Sequence, residues 1–238
     1  MINLLKVELK TIFKRFDIKM TLIISMFLGI YIGIMNKVNE SMFCEGIFEW
    51  ILMLCLFLSA LSGLYISRDY TQNTIRNKVI VGHKRLHIYL SKQLAVTTFY
   101  LITIFLYIIT MITTNYILIK TTGVNLSALK TGIIISIFST ITLSTITTII
   151  SMSSKNEVGG LMPLLITFIM FIFTALGMEL FDKDIMNLIN EILPTGQIMT
   201  LNLIETATNT TRIILYSIIM SLSCITGGYL IFKNSDLN

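Results

Sequence analysis

The chain has 238 residues, of which 54% are hydrophobic and only 13% are charged. A soluble domain usually has about a quarter of its residues charged, so this composition excludes an ordinary soluble surface and predicts a protein embedded in lipid. The formal net charge is +5, but the cations lie at the edges of long apolar runs. That placement is typical of membrane topology and does not indicate a nucleic-acid partner.

The first segment, residues 1–17, mixes apolar residues at near-helical spacing with several lysines. It has neither the long apolar centre nor the small-residue cleavage site of a secretory signal. We expect an amphipathic interfacial helix that lies on the membrane surface, where its Lys and Arg side chains reach the headgroups of membrane lipid.

Six later segments are apolar enough to cross the bilayer, which takes about 20 residues at a rise of about 1.5 Å each. The predicted spans are 20–35, 47–67, 94–118, 131–152, 158–178 and 213–232. Gly159, Gly160 and Pro163 open the fifth of these and predict a loosened or kinked end. The expected fold is an all-α integral membrane protein with a single transmembrane domain over residues 1–238.

Charge bias predicts the orientation of the spans. Most Lys and Arg residues fall on the side that holds the N-terminal segment, the connection between spans two and three, the loop near Lys155 and the C-terminus. Most of the acids lie on the other side, among them Glu45, Glu179 and Glu191. The positive-inside rule then places both termini in the cytoplasm.

Residues 179–211, between spans five and six, are too amphiphilic for a simple extracellular connector. Apolar residues recur at helical spacing from Ile185 to Leu193, and Pro194-Thr195-Gly196 precedes a second apolar stretch. We predict two short helices joined by a Pro-Gly turn, forming a re-entrant hairpin on the outer side. This hairpin either dips into the membrane boundary under cover of the protein or lies on the surface and only closes the fold.

Catalytic motifs are absent from the sequence. It has no phosphate-binding loop of the G-x-x-x-x-G-K-[ST] type, so the chain is not expected to bind ATP by that route. His83 and His87 share a helix face, but their neighbours are cationic, and we interpret them as solvated loop residues rather than metal ligands. The three cysteines show no disulfide or metal-binding spacing. We predict no catalytic residue, no metal site and no cofactor bound by this chain.

Hydroxyl side chains are abundant in the fourth span. They either line a polar path or serve helix packing by bonding back to the preceding turn, and we favour packing. The residues are Ser136, Ser139, Thr140, Thr142, Ser144, Thr145, Thr147, Thr148 and Ser151.

The connection between spans two and three, residues 68–93, is long, basic and partly apolar. Within it, Thr71 or Asn73 can cap a short helix that runs to Val81. Gly82 can end that helix.

This short helix has an apolar stripe formed by Ile75, Val79 and Ile80, with Arg76 and Lys78 elsewhere. We expect the stripe to be an exposed ridge, and such a ridge suits docking into the groove of a partner protein. The same periodicity is compatible with a helix that lies on lipid headgroups.

The connection resembles the loop between spans two and three of ABC-2 type transporter permeases. That family shows an acidic residue, then Gly-Thr-Ile-Arg-Asn-Lys, a glycine, an arginine and Ile-Tyr-Leu-Ser-Lys. The matching residues are Asp69, Thr74, Ile75, Arg76, Asn77, Lys78, Gly82, Arg85, Ile88, Tyr89, Leu90, Ser91 and Lys92. The chain departs from the pattern at Asn73, where glycine is common, and at Asp69, where glutamate is usual. The predicted layout of surface helix, six spans and outer hairpin is also similar to that of the family.

The resemblance implies a non-enzymatic half-transporter in a bacterial cytoplasmic membrane. Two permease chains, identical or different, would form one path, and a separate ABC ATPase would bind ATP and Mg²⁺. Small members of the family include permeases of bacitracin and lantibiotic export and immunity. The resemblance to them implies an amphipathic or lipid-borne substrate such as an antimicrobial peptide. The residues implied to couple to the ATPase are Asp69, Thr74, Ile75, Arg76, Asn77, Lys78, Val79, Ile80, Gly82 and Arg85.

Two other functions remain open on the sequence. A secondary transporter or channel would act without an ATPase, but it usually needs a carboxylate near the middle of a span, and the spans have almost no charge at their centres. A membrane scaffold or sensor would have no transport path and would work with any ATPase deleted.

Overall fold

The computed structural model describes residues 1–38, 48–119, 126–154, 158–180, 183–201 and 210–235. Every regular element in these ranges is helical. The α-helices are α1 (Ile2–Lys14), α2 (Phe16–Val38), α3 (Glu49–Thr71), α4 (Thr74–Ile80), α5 (Arg85–Ile119), α6 (Leu126–Ser154), α7 (Met162–Leu180), α8 (Lys183–Ile192), α9 (Pro194–Thr200) and α10 (Thr210–Asn234). Lys155, Glu45 and the N-terminal end of the second predicted span lie outside the described residues.

Five of the helices in the described ranges are long and apolar enough to cross a membrane: α2, α3, α5, α6 and α10. They correspond to five of the six predicted spans, so the chain is a helical multi-pass membrane protein. The fifth predicted span corresponds to a 3-10 turn, Val158–Gly160, followed by α7. The apolar part of α7, Met162–Gly177, is shorter than the other five.

The helices pack in a defined order. Helix α3 lies against α6 and α7, α2 runs along α5, and α10 runs along α6. A Cβ at Gly29 or Gly33 of α2 would overlap Thr110 or Thr114 of α5. Small residues four apart therefore let α2 and α5 approach closely, as is common between membrane helices.

The hydroxyls of α6 act in packing. The predicted Ser and Thr side chains are buried, and each donates a hydrogen bond to a carbonyl three or four residues earlier in α6. Thr97 of α5 also shares a 2.8 Å bond with Ser144. This pattern favours the packing interpretation over a polar lining.

The segment between α7 and α10 forms two short helices, α8 and α9, as predicted, but the turn lies elsewhere. Pro194, Thr195 and Gly196 form the first turn of α9 instead of a linker. Proline suits that place because its fixed φ is helical and its missing N–H has no partner there. The helices therefore meet at Leu193, which has an extended backbone.

Helix α9 is enclosed by protein. It packs against α3, α6 and α7, and its residues from Pro194 to Ile198 are buried. The Gln197 side-chain oxygen accepts bonds from Ser139 of α6 at 2.7 Å and Ser217 of α10 at 2.9 Å. Its nitrogen donates to the Glu191 carbonyl at 2.7 Å. The amide thus joins α8, α6 and α10.

Candidate functional site: helix α4 and a buried charge cluster

Helix α4 forms where the sequence predicts a short helix, but left-handed backbone conformations flank it and no side chain caps its first turn. Asn73 precedes it with φ 55° and no side-chain cap bond, and Thr71 instead donates to the Arg68 carbonyl. The predicted side-chain cap is therefore wrong. Asparagine and glycine are the residues that tolerate this left-handed conformation. The helix ends at Ile80, and Gly82 follows with φ 96°.

The inner side of α4 faces this chain. Ile75 is 1% exposed and belongs to the hydrophobic core, and Val79 packs against that core. Thr74 donates a 2.8 Å bond to the carbonyl of Asp69 at the end of α3. The expectation that Ile75 lies on an exposed ridge is wrong, because its side chain is buried in the core where α4 packs against α3 and α5.

The outer side of α4 remains open. Ile80 is 71% exposed and the following Val81 is 77% exposed. Arg76 and Asn77 are exposed as well. The apolar ridge available to another molecule is therefore Ile80–Val81, with Arg76 one turn before it.

Beneath α4 lies a group of five side chains, which we name the charge cluster: the buried Glu8, Tyr65 and Lys92 and the half-buried Asp69 and Lys78. They come from α1, α3, α4 and α5. Lys78 contacts both carboxylates, forming an ion pair with Glu8 and lying 3.9 Å from Asp69. Lys92 also pairs with both, at 2.5 Å from Glu8 Oε2. Two acids and two lysines thus balance in charge.

Tyr65 joins the cluster through its hydroxyl and its ring. Its hydroxyl donates to Glu8 Oε2 at 2.5 Å and accepts from Lys92 Nζ at 3.0 Å. The Lys92 ammonium also lies 4.1 Å from the ring centre, and the Arg15 guanidinium lies 5.6 Å from it. Cations at these distances are attracted to the ring face.

Burial makes this balance necessary. Lys92 is 0% exposed and Glu8 is 1% exposed, and an isolated buried charge is very costly. Burial by itself would raise the pKa of Glu8, but the ammonium of Lys92 and hydrogen bonds from Lys78, Lys92 and Tyr65 outweigh it. The pKa of Glu8 therefore lies below its ordinary value of 4.5, so the carboxylate is ionised at neutral pH.

Arg85 connects this site to the end of the chain. Its guanidinium donates to the carbonyls of Phe232, Lys233 and Ser235 at 3.3, 2.6 and 2.8 Å. The end of α10 therefore lies beside the start of α5, at the same end of the helix bundle as α1 and α4. Of the predicted coupling residues, several therefore contact this chain: Asp69, Thr74, Ile75, Lys78, Val79 and Arg85.

Sequence reasoning missed Glu8, Tyr65 and Lys92 as members of a site. Glu8 had a readable signal, because it shares one helical face with Leu4 and Ile12, and all three are buried. An acid in the middle of the apolar face of α1 indicates a buried partner. Helix α1 packs on α5, and its predicted location at the membrane surface stays a prediction.

The arrangement offers ion pairing and hydrogen bonding but no evident covalent chemistry. No group of three His, Cys, Asp or Glu residues in the described ranges is placed to hold a metal ion. His83 is exposed and His87 is half-buried. The coupling role predicted for the α4 residues stays a prediction.

Comparison with models of known protein families found no match. Comparison with curated proteins also found none.

Proposed function

We propose that this chain is the permease subunit of an ATP-driven exporter of the ABC-2 type, in a bacterial cytoplasmic membrane. The supporting observation is that α4 has two different sides. Its inner side packs against α3 and α5, with Ile75 in the core, Thr74 bonded to α3 and Lys78 paired with acids of α1 and α3. Its outer side presents Arg76, Ile80 and Val81. A separate ATPase that binds ATP and Mg²⁺ docks on the outer side, and its movement passes into the two spans.

The proposed topology has six spans and cytoplasmic termini. In this scheme α7 is the fifth span in chain order, in addition to α2, α3, α5, α6 and α10. Its 19 residues extend about 28 Å, close to the bilayer core of about 30 Å, and a small mismatch is met by local thinning of the bilayer. The cytoplasmic side is the one that holds α1, α4 and the end of α10, since most Lys and Arg residues lie there.

The proposed substrate is amphipathic or lipid-borne, with an antimicrobial peptide as the leading class. A second permease chain, identical or different, completes the path. The α8–α9 segment on the outer side supports this proposal, because it combines exposed apolar residues such as Ile185 and Leu188 with a protein-covered α9.

A secondary transporter or channel is the alternative. It needs an ionisable group that binds the coupling ion near the middle of a span. In the described spans the acids lie at or near helix ends: Asp17, Glu49, Asp69 and Glu179. Asp17 is paired with Arg15, and Asp69 is paired with Lys92. Those pairs favour a structural role for the acids over ion binding.

The central experiment is capture of the partner. A tagged chain purified in mild detergent from its native membrane should retain a protein that has a phosphate-binding loop and hydrolyses ATP. If repeated purifications from cells that express the chain retain no such ATPase, the proposal fails.

A charge change on the outer side of α4 tests the contact. Ile80→Asp combined with Val81→Asp should abolish retention of the ATPase, because acidic groups replace the apolar ridge without touching the core. Gln72→Asp is the matched control, since Gln72 is exposed in the same connection but precedes α4. Equal retention by the double variant and wild type would refute docking at Ile80–Val81.

The substrate class is tested in cells. Expression of the chain with its ATPase should raise the amount of a lantibiotic-type or bacitracin-type peptide needed to stop growth. The Ile80→Asp/Val81→Asp chain should give no such protection, although its amount in the membrane is unchanged. Protection that persists without ATPase activity would favour the alternative transporter.

A further inference from the structure

We propose that Glu8 is a positioning residue that sets the orientation of α4 against α3 and α5. Helix α1 is then part of the unit that transmits movement between α4 and the spans, in addition to any role at the membrane surface. The inference uses the proposed function only in taking α4 as the partner contact; the orientation of α4 is a property of this chain alone.

Helix α4 needs outside support because it has only seven residues, and isolated helices of that length are unstable in water. Two contacts, Ile75 in the core and Thr74 on the Asp69 carbonyl, hold its first turn near α3. In its last turn, Val79 packs against the core, and the Lys78 ion pair with Glu8 reaches a different element, α1. This last contact therefore fixes the rotation of α4 about its anchored first turn.

Glu8 is suited to this task because it binds three helices at once. Its carboxylate accepts from Lys78 of α4, Tyr65 of α3 and Lys92 of α5. A carboxylate has about four acceptor positions, so these donors occupy most of them. Movement of α4 away from α1 would leave part of this buried charge unpaired, which resists the movement.

Asp69 provides a second acceptor for α4. Its carboxylate lies 3.9 Å from the Lys78 ammonium, so Lys78 can stay paired when Glu8 is neutral. Loss of the Glu8 charge should accordingly reorient and loosen α4 without detaching it from α3. A contact that served only general stability would affect all helices of the bundle alike.

Hydrogen exchange on the purified chain in detergent tests this directly. Glu8→Gln should raise amide exchange in residues 74–80 by about tenfold or more, as expected for loss of a hydrogen bond between charged groups. Exchange in the centres of α5 and α6 should stay unchanged. Lys10→Gln is the control, because Lys10 is an exposed residue of the same helix.

Two further variants separate positioning from general stability. Glu8→Asp keeps the charge and should restore much of the protection of α4. Lys78→Gln should loosen α4 as Glu8→Gln does, and the two changes together should add little to either one, because they remove the same contact. The double variant Glu8→Gln/Lys78→Gln loses one acid and one lysine, so the remaining Lys92 and Asp69 still balance in charge. It can therefore test the positioning role if Glu8→Gln alone does not fold.

The outcome that overturns the inference is protection of residues 74–80 at wild-type level in the double variant. Fully additive effects of Glu8→Gln and Lys78→Gln would overturn it as well. Neither result bears on whether an ATPase is retained by the wild-type chain. If the purified chain retains no ATPase, the proposed function is refuted, but the positioning of α4 by Glu8 is unaffected.

Discussion

Two connections between spans each contain a short helix, and the two short helices are bound to the rest of the protein by different kinds of side chain. Helix α4, between α3 and α5, rests on two acids and two lysines. Helix α9, between α7 and α10, rests on the neutral amide of Gln197 and two serine hydroxyls. Charged contacts are strong, sensitive to pH and costly to leave incomplete, whereas neutral contacts are weaker and insensitive to protonation.

The two regions also differ in whether they contain buried polar groups that lack a hydrogen-bond partner. Near α9, the buried side chain of Asn190 has no hydrogen-bond partner among the described residues. In the charge cluster, both lysines and both carboxylates are paired. A buried neutral amide without a partner costs far less than an unpaired buried charge. The comparison shows that α9 rests on neutral contacts beside an amide left without a partner, whereas α4 rests on charges that are all paired.

The largest expected effect comes from removing one charge of the cluster. Lys92→Met should lower the free energy of unfolding by about 3–5 kcal/mol, because the buried Glu8 and the half-buried Asp69 then share one lysine. Thermal unfolding in detergent would measure the loss. Lys84→Met, at an exposed position near the start of α5, should cost almost nothing. Equal stability of the two variants would contradict the pairing.

A smaller effect is expected when Glu8 is protonated, because Asp69 still balances part of the charge. The pKa of Glu8 is lowered in the folded chain, so its contribution is complete above about pH 4.5 and is lost as the pH falls further. The groups that face it are Lys78, Lys92 and Tyr65. Amide exchange in α4 should therefore rise as the pH is lowered below 4.5, after correction for intrinsic rates. Glu8→Gln should remove this dependence.

The neutral connection should respond less to a comparable change. Gln197→Leu should destabilise the protein by about 1–2 kcal/mol, because Ser139 and Ser217 lose one acceptor but keep their bonds within their own helices. The cost should not vary between pH 4 and pH 7. Gln72→Leu, at an exposed site, is the control. A pH-dependent cost at Gln197 would break the contrast between the two connections.

The smallest effect concerns the backbone before α4. Asn73→Gly should change stability by only a few tenths of a kcal/mol, whereas Asn73→Ala should cost about 1 kcal/mol, because alanine is strained at positive φ. Amide exchange in residues 74–80 would detect both. Asn77→Ala, in the same connection but within α4, should have no comparable cost. Equal behaviour of Asn73→Ala and Asn73→Gly would show that the left-handed turn is not needed.

Much of the fold could be predicted because it depends on local pattern. Long apolar runs identify five spans, since lipid requires each backbone polar group to be bonded within its own helix. The short helix after residue 73 and its end before Gly82 follow from turn chemistry. Gly159, Gly160 and Pro163 predict an irregular start of the fifth span, and the structure has a 3-10 turn there; only the first residue of α7, Met162, lies later than the predicted bound of 158.

The candidate site was less predictable, because it depends on which side of each helix packs against its neighbours. Periodicity places Ile75 and Ile80 on one stripe, but packing buries the first and exposes the second. Likewise, Pro194 and Gly196 suggest a turn, but they begin a helix that other helices cover. Burial of one side of a short helix is decided by its neighbours and is not encoded in its own seven residues.

The sequence by itself determined the membrane class, the sites of five spans and the short helix in the connection of residues 68–93, because these depend on hydrophobicity and backbone chemistry within one segment. Only the tertiary structure decided that Glu8, some 70 residues before Lys78, lies beneath that helix and shares its carboxylate with Lys92. The reason is physical: a buried charge must find its counter-charge wherever packing places one, and that partner lies far away in the chain.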